Sequence, residues 1–115
     1  MRKVATLTVA LFAGLAMVAV VPSASAAKHC RSVHNPYPNT RYEGVDLTRI
    51  RAVGVGCRRA RHVARRAHRK GLRMTPPPSG VLHYRWHAWT VRGDLRPSHD
   101  RFRAIHQDNR VRWRF

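Results

Sequence analysis

Apolar and polar positions follow three regimes along this chain. From Val9 to Val21, 13 consecutive residues are apolar, with no charge to give the run a polar side. Between Cys57 and Lys70 the apolar positions Cys57, Ala60, Val63, Ala64 and Ala67 recur at helical spacing, which predicts one amphipathic helix. Beyond Pro76-Pro77-Pro78 the period drops to two. Val111, Trp113 and Phe115 alternate with Arg110, Arg112 and Arg114, as a half-buried strand requires.

The first regime predicts an export signal over residues 1–26. Arg2 and Lys3 form a positive start, the apolar run has the length of a signal core, and Pro22 ends it before Ala24-Ser25-Ala26. Small residues at that site suit a signal peptidase. The rival reading is a membrane anchor over Val4–Val21, nearly the ~17–25 residues a span needs. The threonines, the proline and the Ala-x-Ala site favour cleavage, and so a secreted, extracellular protein.

The remainder divides into an arm and a body. Residues 27–44 hold Asn35-Pro36-Tyr37-Pro38-Asn39, a turn-rich stretch that reads as irregular. Residues 45–115 read as the folded domain. Val45–Val55 suits a strand, with Val45, Leu47 and Arg49 on one side and Ile50 and Ala52 on the other. The helix of Cys57–Lys70 follows, with Gly71 as its expected stop. Its stripe of small residues suits close packing on a sheet. Val81–Val91 reads as one strand rich in aromatic and β-branched residues. Phe102–His106 and Val111–Phe115 flank a hairpin turn at Gln107-Asp108-Asn109. The expected fold is therefore α+β: a small single domain with one basic helix packed on a short antiparallel sheet.

Two cysteines change the picture of stability. After cleavage, 89 residues can bury only a modest core, and Cys30 and Cys57 are the only cysteines. In an oxidising compartment they have one intramolecular pairing. The expected disulfide contributes roughly 3–4 kcal/mol on the chain-entropy estimate, and ties the arm to the helix. A catalytic thiol is the rival reading, but an exported thiol with a partner at hand would oxidise.

The order of export signal, early cysteine, strand, Val53-Gly54-Val55-Gly56-Cys57-x-x-Ala60-x-x-Val63-Ala64 helix, Trp-containing strand and terminal strand resembles small secreted proteins of high-GC actinobacteria. The resemblance spans roughly Cys30 to Phe115. It implies the compartment and the fold, and it assigns no activity, cofactor or functional residue.

Charge supplies the main functional lead. Basic residues number 23 against five acids; without residues 1–26 the balance is 21 to 5, a net +16. Arginine outnumbers lysine 20 to 3. High-GC coding bias is the bland explanation. The functional one is attraction to a polyanion, because the guanidinium fork suits phosphate and clustered cations raise the local field. Candidate binding residues are Arg58, Arg59, Arg61, Arg65, Arg66 and Arg69 on the helix and Arg110, Arg112 and Arg114 on the last strand. For an exported protein the partners would be teichoic acid, an anionic lipid surface or extracellular nucleic acid. The helix lacks the Leu, Phe and Trp of a strong membrane inserter. An antimicrobial cation is a related alternative.

Other chemistry is thinly signalled, and no cofactor is expected. On a strand, His83 and His87 would stand ~13 Å apart, too far to share a metal. Cleavage after Ala26 would leave Ala27-Lys28-His29 as a new N-terminus, where an amine, two amides and an imidazole could hold Cu(II) or Ni(II) in a square plane. A small secreted ribonuclease is the enzymatic alternative. It would have to pair Glu43, the sole glutamate, with His83, His87 or His106 as acid and base, and no spacing singles out such a pair. The expectation is a binding protein.

Overall fold

The computed structural model describes Gly14 and residues 26–115. The expected signal therefore lies almost wholly outside the described residues. No helix among them is long and apolar enough to cross a membrane. The elements in chain order are β1 (Lys28–Cys30), β2 (Thr48–Val53), α1 (Cys57–Leu72), β3 (Val81–Trp86), β4 (Trp89–Asp94), β5 (Arg101–His106) and β6 (Asn109–Arg114). They form one six-stranded antiparallel sheet in the order β1-β2-β6-β5-β4-β3, with α1 packed across one face. The α+β fold holds, with more strands than the pattern indicates.

The extra strands come from two places. Val81–Val91 is a hairpin in which Trp86 pairs with Trp89 around the two-residue loop His87-Ala88. His87 takes a left-handed φ of 50° without glycine or asparagine, so no turn signal interrupts the aromatic run. The second hairpin turns at Gln107-Asp108, with Gln107 likewise left-handed, and β6 begins at Asn109. The arm is also more regular than its composition implies. Lys28–Cys30 pairs with β2 as an edge strand, and Val33 and Leu47 exchange backbone hydrogen bonds of 2.9 and 3.0 Å.

A bulge in β2 sets which side chains face in. The register of β2 against β6 shifts between Thr48 and Arg51, and Arg49 has φ 49°. The inserted residue lets Leu47 and Ile50 both reach the core, where each is fully buried, while Arg49 faces out. Leu47 is thus on the same side as Ile50 and Ala52, not opposite them. The inner face of the sheet is completed by Leu82, Tyr84, Trp89, Val91, Phe102, Ala104, Val111 and Trp113. Phe102 and Trp113 are cross-strand neighbours stacked at 5.4 Å.

The helix lies close to this face because its stripe is small. Ala60, Val63, Ala64, Ala67 and Gly71 are buried. Gly71 sits inside the last turn instead of ending the helix. A Cβ there would come within 2.7 Å of the Tyr84 hydroxyl, which donates to the Ala67 carbonyl at 2.6 Å. The helix start has no acidic residue and no capping side chain, while Arg58 and Arg59 oppose the dipole. Its anchor is covalent. Cys57, the first helical residue, is bonded to Cys30 of β1 with 5.3 Å between their Cα atoms.

At the other end the arm is held by an aromatic plug. Tyr37 is buried and its hydroxyl donates to the Arg65 carbonyl at 3.0 Å. Nδ1 of His68 lies 2.8 Å from the same oxygen. A hydroxyl has one proton to give, so His68 Nδ1–H is the donor of that second bond. His68 is completely buried, with Phe115 at 4.3 Å and Phe102 at 4.7 Å between ring centroids. Burial pushes its pKa down to about 3, so the imidazole is neutral and its Nε2 has no protein partner among the described residues.

Candidate polyanion-binding face

The face of the sheet opposite α1 is covered by no element among the described residues, and alternation along each strand fills it with arginine. On β6 the inward residues are Val111 and Trp113, so Arg110, Arg112 and Arg114 point outward. The same logic places Arg51 outward on β2, Arg85 on β3, Arg92 on β4, and Arg101 and Arg103 on β5. The β2 bulge adds Arg49.

Cross-strand register then aligns these side chains. His29 pairs with Arg51, Arg51 with Arg112, Arg112 with Arg103, Arg103 with Arg92, and Arg92 with His83. One row thus crosses all six strands with four arginines abreast. At ~4.8 Å between strands it is roughly 24 Å long. In the next row Arg114 pairs with Arg101, and Arg101 with Asp94. Along a strand, successive outward arginines are about 6.8 Å apart. Arg110 and Arg85 stand in a third row, separated by Ile105 and Thr90, so the cations span three rows.

Few anions offset it. Asp94, at the edge of the face, is 3.5 Å from an Arg92 guanidinium nitrogen. Asp46 belongs to the arm, where the Asn35 backbone N–H and then His34 hold its carboxyl below the usual range. Asp100 is partly buried in the loop before β5, its carboxylate accepting the Arg96 backbone N–H at 3.2 Å, and burial pushes its pKa up. On the lattice itself, desolvation first, and then Arg49, Arg101 and Arg51, lower the pKa of Arg114. Like charges directly opposite one another each cost about 0.2–1 kcal/mol, so this face opposes the fold that displays it.

The helical arginines occupy the opposite side of the molecule. Arg58, Arg59, Arg65, Arg66 and Arg69 are exposed, whereas Arg61 is half-buried and donates to the Ser32 carbonyl at 3.3 Å. The candidate set from the sequence therefore separates into two surfaces. Arg110, Arg112 and Arg114 join a sheet face whose other members, Arg49, Arg51, Arg85, Arg92, Arg101 and Arg103, the pattern did not single out. The alternation in Arg101-Phe102-Arg103-Ala104 was a usable signal for two of them. Arg85 and Arg92 were concealed by the unmarked turn at His87-Ala88.

The histidine candidates disperse. His83 faces out on β3 while His87 occupies a turn, so they do not converge. Among the described residues no group of three or more His, Cys, Asp or Glu side chains is placed to hold a metal. His29 lies on β1. Alternate residues of an antiparallel strand direct their N–H groups at the partner, so one of the amides at Lys28 and His29 is committed to β2. Copper or nickel chelation there would pull β1 from the sheet. Glu43 lies in the arm's turn and is exposed. No protein-family model, curated protein or solved structure matches this chain.

Proposed function

We propose that this is an exported adhesion protein whose arginine-paved sheet face binds anionic polymers: teichoic acid, anionic lipid surfaces or extracellular nucleic acid. The observation that carries the reading is the row Arg51-Arg112-Arg103-Arg92, four guanidinium groups in cross-strand register. Coding bias accounts for arginine in place of lysine. It gives no reason for opposing four like charges at ~4.8 Å. A polymer with closely spaced phosphates or sulfates would relieve that repulsion by accepting bidentate hydrogen bonds.

The outward residues of β2 to β6 include no Phe, Tyr or Trp, and His83 at the end of the row is their one imidazole, so this face offers no extended stacking platform for bases. Its reading of a polymer is by charge. The Cys30–Cys57 bond suits an oxidising environment, in keeping with the export signal the sequence suggests.

Retention of the oxidised protein on heparin and teichoic-acid matrices tests the proposal. Binding should persist to well above physiological salt and then fall steeply, as expected when several counterions are released. Elution at or below physiological salt from both matrices contradicts it.

A further inference from the structure

The turns of the two hairpins meet the first half of α1 in a cleft of about 230 Å³. Its lining is unlike the rest of the surface: Trp86, Trp89, His62, His87 and His106, with Arg59 at the rim. Trp89 is almost fully buried and forms the floor, while Trp86 is half-buried and forms a wall. The rings do not close over one another. His87 stands perpendicular to Trp86 at 4.5 Å, and His62 meets the same indole at 6.1 Å and 62°. His106 is tilted against Trp89 at 5.5 Å. The rings touch one another edge to face, and the space beside them, about 230 Å³, has room for one planar base.

This cleft continues into a larger open groove between the arm and the helix. Arg59 and His62 line both, and the groove adds Arg58, Arg61 and Arg65. Cations that track a backbone beside an aromatic slot are the elements that hold single-stranded nucleic acid. Imidazole nitrogens, which donate or accept according to tautomer, suit the polar edge of a base.

We infer that the helix side of the protein binds single-stranded nucleic acid, with phosphates on Arg58, Arg59 and Arg65 and one base in the cleft against Trp86. This goes beyond charge adhesion by the sheet and uses the other side of the molecule, so either assignment can fail alone.

The test titrates the full oxidised chain with a 12-nucleotide single strand and with an abasic strand of equal length and charge, following tryptophan fluorescence. The intact strand quenches the emission and binds about 5- to 150-fold more tightly than the abasic one, the range expected for stacking one base. Trp86→Ala removes that preference and leaves affinity for the abasic strand unchanged. His62→Ala, at an exposed helical position, and His87→Asn, which keeps a residue suited to the left-handed turn, each reduce it in part. Equal affinity for the two strands, no binding of either, or a preference that survives all three substitutions overturns the inference. Heparin retention is read in parallel. In the parent protein, no base preference with heparin binding intact refutes the cleft alone, and base preference without heparin retention refutes the sheet face alone.

Discussion

On α1, the exposed arginines stand on successive turns and splay around the outer surface, free to move apart in water. On the sheet, Arg51, Arg112, Arg103 and Arg92 are held abreast by backbone hydrogen bonds, and none can leave its neighbour without breaking register. Residue type is the same on both surfaces; what differs is whether the backbone enforces spacing. A helix lets repulsion relax through side-chain freedom, whereas a ladder stores it. Only the sheet therefore presents a fixed cation lattice, and only the helix side has indole rings beside its charges.

The largest effect should come from cutting the link between the two surfaces. Cys30→Ser with Cys57→Ser, or reduction, should destabilise the protein by roughly 3–4 kcal/mol. Denaturant melts with and without reductant would show it. The helix start is expected to fray first in hydrogen exchange, since Arg58 and Arg59 oppose the dipole there and no side chain caps it.

Acid should act on the plug that seats the arm. His68 is neutral in the fold with its pKa at about 3, against an ordinary value near 6.5. The unfolded chain therefore binds the extra proton across that interval. Stability is full above about pH 6.5 and falls as pH drops toward 3, by up to about 1.4 kcal/mol per pH unit. His68→Phe should flatten this slope in pH-dependent melts. Asp100 works weakly in the opposite sense, because its raised pKa favours the fold in acid.

A smaller effect should distinguish stored from relaxed repulsion. Replacing Arg51, Arg92, Arg103 and Arg112 together with Gln removes three like-charged cross-strand pairs, and should stabilise the protein by about 1–2 kcal/mol at low salt. Gln at Arg58, Arg65, Arg66 and Arg69 should change stability by less. Equal gains would mean that net charge alone matters. The smallest effect is at the helix start, where Arg58→Glu should add about 0.3–1 kcal/mol by reversing the sign next to the dipole.

What could be read in the sequence depended on how local the cause was. The helix stripe was legible because Ala60, Val63, Ala64 and Ala67 carry its period within one element. The disulfide followed from counting cysteines. The two-residue turn at His87 was not legible, since nothing in Trp86-His87-Ala88-Trp89 marks left-handed backbone, and tertiary pairing imposes it. Nor was the burial of His68, which sits one residue from Ala67 on the stripe but depends on Tyr37 arriving from the arm. The arginine row was half legible. Alternation shows which way each side chain points, but abreast alignment depends on register between strands about sixty residues apart, such as Arg51 and Arg112, which no local pattern records.

We propose that the geometry of the arginine lattice, more than total charge, makes the sheet the stronger heparin-binding surface. The direct measurement compares two variants of equal net charge on heparin: Gln at Arg51, Arg92, Arg103 and Arg112, against Gln at Arg58, Arg65, Arg66 and Arg69. The sheet variant is expected to elute at markedly lower salt, with the helix variant close to the parent protein. Coincident elution of the two variants would contradict it.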